Sequence, residues 1–107
     1  MNCRIILTET AKEDIRNIAF YITEQTKDKA VAAGFVKELQ KKYKILEAFP
    51  ECGSVPKDRV MVSSGYRYLT HKNYLIFYTY EKEEKTVYIL AVFNAKRDYM
   101  RVMKRFI

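Results

Sequence analysis

The chain has 107 residues, a formal net charge of +7, 14% aromatic residues and two cysteines. That length suits one small domain over residues 1–107 and is too short for two. No basic-then-apolar leader opens the chain and no apolar run approaches bilayer length, so a cytoplasmic protein that does not meet a membrane is expected. Cys3 and Cys52 fit no metal-ligand or redox spacing, and two reduced, partly buried thiols are expected.

The charge is unevenly placed. Residues 1–56 carry 9 Lys/Arg against 8 Asp/Glu, whereas residues 57–107 carry 11 against 5. Attraction to phosphate or to an acidic protein therefore belongs mainly to the second half, and charge alone does not separate the two. With 49% apolar residues the chain buries a core, but a small one, and a partner that binds the folded form would stabilise it by mass action.

In chain order, Cys3 to Leu7 is an apolar run suited to a strand. Thr10 and Glu13 have the spacing of a capping box and predict a helix start. Ile15, Ile18, Ala19 and Ile22 then form one apolar stripe at helical spacing. Lys27 and Asp28 break it. Asp28 is a plausible N-cap for a second helix that buries Ala32, Phe35, Leu39, Tyr43 and Leu46, and Pro50 and Gly53 end it. The two helices read as an antiparallel hairpin whose stripes need another layer to cover them.

Tyr66–Thr70, Tyr74–Tyr80 and Thr86–Phe93 are rich in aromatic and β-branched residues and are separated by polar turns, the pattern of a sheet. In the second of these, Leu75, Phe77 and Thr79 share one face while Tyr74, Ile76, Tyr78 and Tyr80 share the other. Tyr99, Val102, Met103 and Phe106 fall at helical spacing and predict a closing helix from Asp98 to Phe106. The class is α+β: an N-terminal strand and a helical hairpin packed on a small antiparallel sheet, with a short C-terminal helix.

The chain has one histidine, no glycine-rich phosphate loop, no H-E-x-x-H helix and no nucleophile elbow, so neither a zinc site nor a Ser-His-Asp triad is expected. No cofactor or metal is implied. What remains is cationic and phenolic: Lys57, Arg59, Arg67, Lys72, Lys96, Arg97, Tyr99 and Arg101. Arginine forks grip phosphate in two places and stay charged, and a phenol moves protons only if neighbouring cations pull its pKa toward neutral. Such a set could act on RNA through the substrate's own 2′-hydroxyl. It could equally be a solvated basic face, with Arg67 paired to acidic residues and Tyr99 anchoring the last helix. His71, beside Lys72 and Asn73, reads as a turn residue rather than a catalyst.

The order Gly65-Tyr66-Arg67-Tyr68-Leu69, Tyr74-Leu75-Ile76-Phe77-Tyr78, Val87-Tyr88-Ile89-Leu90-Ala91-Val92 and Lys96-Arg97-Asp98-Tyr99 resembles the RelE/ParE toxins of bacterial type II toxin–antitoxin systems. The first half is similar too, with an Ala-Lys-x-Asp helix at Ala11–Asp14 and a second helix ending in Phe49-Pro50-x-x-Gly53. The resemblance implies a growth-arresting toxin neutralised by an acidic cognate antitoxin, touching promoter DNA only indirectly through that antitoxin. In the RelE-like branch, which cleaves mRNA on the ribosome, it implies that Arg67 holds phosphate, Arg97 stabilises the transition state and Tyr99 transfers a proton. Lys57 and Arg59 would then lie in a basic loop before the sheet, with Lys72, Lys96 and Arg101 as further substrate contacts. In the ParE-like branch it implies a non-enzymatic inhibitor of DNA gyrase. Asn94 stands where many members carry histidine, which removes one proton shuttle. A basic nucleic-acid-binding domain without toxicity is the third alternative.

Overall fold

The structure, a computed structural model, describes residues 2–97 and 99–103, with only the backbone at Tyr99 and Met100. The first strand, β1, spans Arg4–Leu7 and runs straight into helix α1, Glu9–Thr26. The N-cap is Thr8, two residues before the Thr10 of the expected capping box. Strand pairing decides this. The Thr8 N–H bonds the Ile89 carbonyl at 3.0 Å, its hydroxyl is shared between the carbonyls of Ile89 and Leu90, and the same hydroxyl accepts the Ala11 N–H at 3.1 Å. One side chain thus closes the strand and opens the helix, leaving Thr10 inside the first turn.

Helix α1 ends at Lys27, which takes a left-handed φ of 58° and sends its N–H back to the Thr23 carbonyl at 2.7 Å. Asp28 caps α2, Lys29–Lys44, by accepting the Ala30 N–H at 2.9 Å, as its position predicts. A 3-10 turn, Ile45–Glu47, continues it. Ala32, Leu39 and Leu46 are buried, while Phe35 and Tyr43 are half-buried against the same core.

Strands β2 (Arg67–His71), β3 (Tyr74–Glu81) and β4 (Thr86–Asn94) form the expected antiparallel meander. The first strand joins it parallel to β4, from Arg4 opposite Thr86 to Leu7 opposite Ile89. The sheet is therefore mixed, in the order β1-β4-β3-β2. The long helical hairpin between β1 and the meander supplies the connection that a parallel pair requires.

Both faces of the sheet are covered. Ile76, Tyr78, Val87, Ile89 and Val92 pack with Leu39 and Leu46 under the hairpin, while Leu75, Phe77, Ala91 and Phe93 pack with Met61, Val102 and Met103 on the other side. The two faces read for β3 from alternation are those observed. Along β4 the alternation changes phase because Ile89 pairs with Tyr78 and Ala91 with Phe77, leaving Leu90 as an extra, bulged residue. Met61 belongs to a short helix, α3 (Arg59–Ser63), capped by Asp58. Val102 and Met103 belong to α4 (Tyr99–Met103). The expected extension of this last helix from Asp98 to Phe106 falls at both ends outside the described residues. No described helix is long and apolar enough to cross a membrane. Both cysteines are free, but only Cys3 is buried; Cys52 is exposed, contrary to the expectation of partial burial for both.

Candidate functional site

At the end of the sheet where β2 begins, Gly53 is held from two sides. Its N–H donates to the Tyr78 hydroxyl at 2.9 Å and its carbonyl accepts from the Arg67 guanidinium at 3.1 Å. Tyr78 is completely buried, and burial pushes its phenol above the ordinary value of 10.0. A Cβ at Gly53 would stand 2.5 Å from the Tyr78 hydroxyl and 2.9 Å from the Tyr68 carbonyl. Gly53 is thus required by close approach, not only as a helix stop. The next residue, Ser54, pairs with Tyr68 through two backbone bonds of 2.8 and 2.9 Å, closing the outer edge of β2. Arg67 is therefore a structural tie in this fold, half-buried on the hairpin face.

At the other end, β4 finishes at Asn94 opposite Tyr74. The Asn94 side chain accepts the Lys96 N–H at 2.9 Å, its carbonyl accepts the Arg97 N–H at 3.0 Å, and the Ala95 N–H bonds the Asn73 carbonyl at 2.7 Å. These bonds fix the backbone that carries Lys96 and Arg97, both exposed. Between this turn and α1 lies an open groove of about 300 Å³ lined by Asn17, Ile18, Tyr21, Tyr74, Asn94 and Arg97, among others. Asp14 at its base accepts the Val92 N–H at 3.0 Å, taking the place of β1 where that strand has ended. Burial, and secondarily the nearby Tyr21, push the Tyr74 phenol above its ordinary value.

Arg67 and the Arg97 turn therefore lie toward opposite ends of β2, since four steps along that strand separate Arg67 from His71 by about 13 Å. Arg67 is not brought beside Arg97. Arg59 starts α3 rather than sitting in a loop, and Arg101 is on α4, so both belong to the layer opposite the hairpin, and both are exposed. Lys57 is exposed just before α3. Lys72 occupies a left-handed turn position at φ 53°, its ammonium 2.9 Å from the Glu38 carboxylate and 5.8 Å from the centre of the Phe35 ring. That hydrogen bond holds Glu38 below its ordinary 4.5. The Tyr99 side chain and Asp98 lie outside the described residues.

His71 is the last residue of β2, flanking the turn rather than in it. Its ring lies 5.6 Å from that of Phe35, and its buried Nε2 has no hydrogen-bond partner among the described residues. Burial, reinforced by Lys72, pushes its pKa below 6.5. Tyr43, Tyr66, Tyr74 and Tyr78 all have phenols raised above the ordinary value, each chiefly through burial.

Residues 5–99 match the ParE toxins of type II toxin–antitoxin systems, parDE. The chain belongs to this family. Among solved structures, a chain of the chromosomal ParDE toxin–antitoxin system from P. aeruginosa superposes with a TM-score of 0.71 at 18% identity, over 86% of this chain and 95% of that one. A chain of the toxin–antitoxin complex RelBE2 from Mycobacterium tuberculosis gives 0.60 at 20% identity, over 88% of this chain and 99% of that one. These likenesses establish the shared fold. No curated protein matches the sequence.

Within this ParE-family toxin two residues of the groove, Asp14 and Asn17, are not among the sequence-predicted site residues. Asp14 carried a usable signal: it lies four residues before Ile18, on the stripe that faces the sheet, where an acid is costly unless it is hydrogen-bonded. Asn17 is exposed on a polar face and carried none.

Proposed function

We propose that this chain is the growth-arresting toxin of a type II pair and acts by binding its target rather than by cutting RNA, with DNA gyrase as the target. One observation carries the preference. The two arginines that a nuclease would aim at one phosphate are divided, Arg67 being spent on the Gly53 carbonyl at the opposite end of β2 from the Arg97 turn. Transition-state stabilisation needs preorganised charges that converge where negative charge develops, and this separation opposes it.

On this reading a cognate antitoxin, acidic where it meets the toxin, neutralises the basic second half, and contact with promoter DNA is made only through that antitoxin. The excess of cations in residues 57–107 supports such a partner, and so does membership of a family defined by toxin–antitoxin pairing. The compartment is the bacterial cytoplasm, where gyrase and ribosomes reside.

Induced expression in bacteria lacking the antitoxin tests the proposal. Filamentation, a DNA-damage response and inhibited supercoiling by purified gyrase are expected. Arrested translation with mRNA cut at ribosomes would instead favour the endonuclease reading, in which Arg97→Ala should lower cleavage about 100-fold. Normal growth at high expression would leave only the basic nucleic-acid-binding domain without toxicity.

A further inference from the structure

The outer face of the helical hairpin, turned away from the sheet, has two halves of opposite character. Along α1 the residues opposite the core-facing Ala11, Ile15 and Ile18 are Glu9, Glu13, Phe20 and Glu24, all exposed, with Arg16 as the cation among them. Along α2 the residues opposite the buried Leu39 and Leu46 are Ala30, Ala33, Gly34, Lys37, Lys41 and Lys44, likewise exposed. Steps of three and four residues keep each row on one side of its helix. The near balance of 9 Lys/Arg against 8 Asp/Glu in residues 1–56 conceals this segregation, acidic on α1 and basic on α2. Among the described residues, neither Glu13 nor Lys37, Lys41 or Lys44 has an ion-pair partner. The lysines complement the dipole at the end of α2, which accounts for their sign but not for Phe20 or for the small residues that precede them.

The two rows are in register. Phe20 and Gly34 each stand seven residues from Lys27, where the hairpin turns, and Glu13 and Lys41 each stand fourteen. At about 1.5 Å per residue, the first pair lies about 10 Å and the second about 21 Å below the turn. We infer that a second copy of this chain docks on this face, about a two-fold axis parallel to the helices. That operation lays α1 of each copy antiparallel on α2 of the other, with residues of equal height opposed. Phe20, 68% exposed, then enters the space over Gly34 of the other copy, where a Cβ would meet nothing within 4 Å in the single chain. Glu13 faces Lys41 of the other copy, and the symmetry repeats both contacts. One exposed phenylalanine decides nothing alone; its match in height with a glycine, and that of an acid with a base, selects this occupant. A nucleic acid is disfavoured because its phosphates would meet Glu9, Glu13 and Glu24 beside the lysines. The face is about 27 Å long and roughly 20 Å wide, a footprint of roughly 500 Å² against the about 800 Å² per partner of a stable interface. The pairing is therefore weak, with half of the chain paired at roughly 100 µM. It does not depend on the toxin reading.

Sedimentation velocity of the full chain tests the pairing, across concentrations well below and well above that value and in reductant because Cys52 is exposed. The wild type should pass from monomer to dimer. Glu13→Lys and Lys41→Glu should each weaken pairing about tenfold, since each sets like charges opposite one another twice. Mixed in equal amounts, the two variants should pair as the wild type does, because both contacts then join opposite charges. Gly34→Leu should abolish pairing while raising the melting temperature of the monomer, leucine being the better helix former where space is open. Should a charge variant fail to fold, the wild type and Gly34→Leu still decide. A wild type that stays monomeric throughout, a dimer indifferent to Gly34→Leu, or a mixture no more associated than its components would each overturn the interface. So would a monomeric chain whose Lys37 and Lys41 amide resonances move with a short DNA duplex but not with its own concentration.

Discussion

At the Gly53 end of β2 an arginine, a tyrosine and a glycine hold one another inside the protein; beyond its other end, past Asn94, an arginine stands on a fixed turn facing solvent. Both arginines come from motifs that look equivalent in sequence, Gly-Tyr-Arg and Lys-Arg-Asp. Their difference lies in what the chain places opposite them. Arg67 donates to the Gly53 carbonyl, whereas Arg97 is exposed and lines a groove. An arginine bound internally contributes to stability, and one left exposed is available for recognition.

Substitutions at the two ends should separate these roles. Gly53→Ala is expected to have the largest effect, a loss of about 3 kcal/mol in urea denaturation, since its Cβ would collide with a phenol and a backbone carbonyl that cannot yield. Unchanged stability would mean that the Gly53 loop can move aside, and the proposed lock with it. Tyr78→Phe should cost about 2 kcal/mol by leaving the buried Gly53 N–H without its acceptor. Arg67→Met, which keeps the stem but removes the fork, should cost about 1 kcal/mol in the same assay. A larger loss of toxicity than this destabilisation explains would return Arg67 to the functional set.

At the Asn94 end the expected changes in stability are small. His71 is held below its ordinary 6.5 by burial, so its neutral form is favoured in the folded state. The unfolded chain therefore binds more protons, and the contribution is complete above pH 6.5 and is lost as pH falls through the lowered folded value. His71→Gln should flatten the decline in stability as pH falls below 6.5, ahead of the more acidic range in which Glu38 loses its pairing with Lys72. Parallel curves for the two proteins would show that His71 is not the group responsible. Smallest of all, Arg97→Ala should leave stability within about 0.5 kcal/mol of the parent. A large loss there would show that Arg97 is a second internal tie, and the contrast between the two ends would fail.

Much of the fold was legible because it is written in periodicity. The stripe through Ile15, Ile18 and Ile22, the cap at Asp28 and the two faces of β3 are local patterns that tertiary structure left unchanged. The cap of α1 was misplaced because Thr8 and Thr10 both offer a hydroxyl, and only the carbonyls of Ile89 and Leu90, far along the chain, favour the first. The parallel pairing of β1 and the bulge at Leu90 are non-local in the same sense. For the site, sequence named the cations correctly as a class but not their company: Arg67 and Arg97 carry the same charge, and nothing within a few residues of either reveals Gly53 beside one and Asn17 beside the other. Lys72 was read as a substrate contact, while Glu38, on a different element, holds it.

Pairing β1 with β4 also governs when the protein can complete itself. The sheet's parallel seam joins residues 82 positions apart, Arg4 with Thr86, and the hydroxyl that starts the first helix waits for carbonyls 81 and 82 positions further along the chain. Contacts of such long range form late and raise the order a chain must acquire before it folds. A chain still emerging from the ribosome has no closed sheet, no seat for Asp14 and no groove.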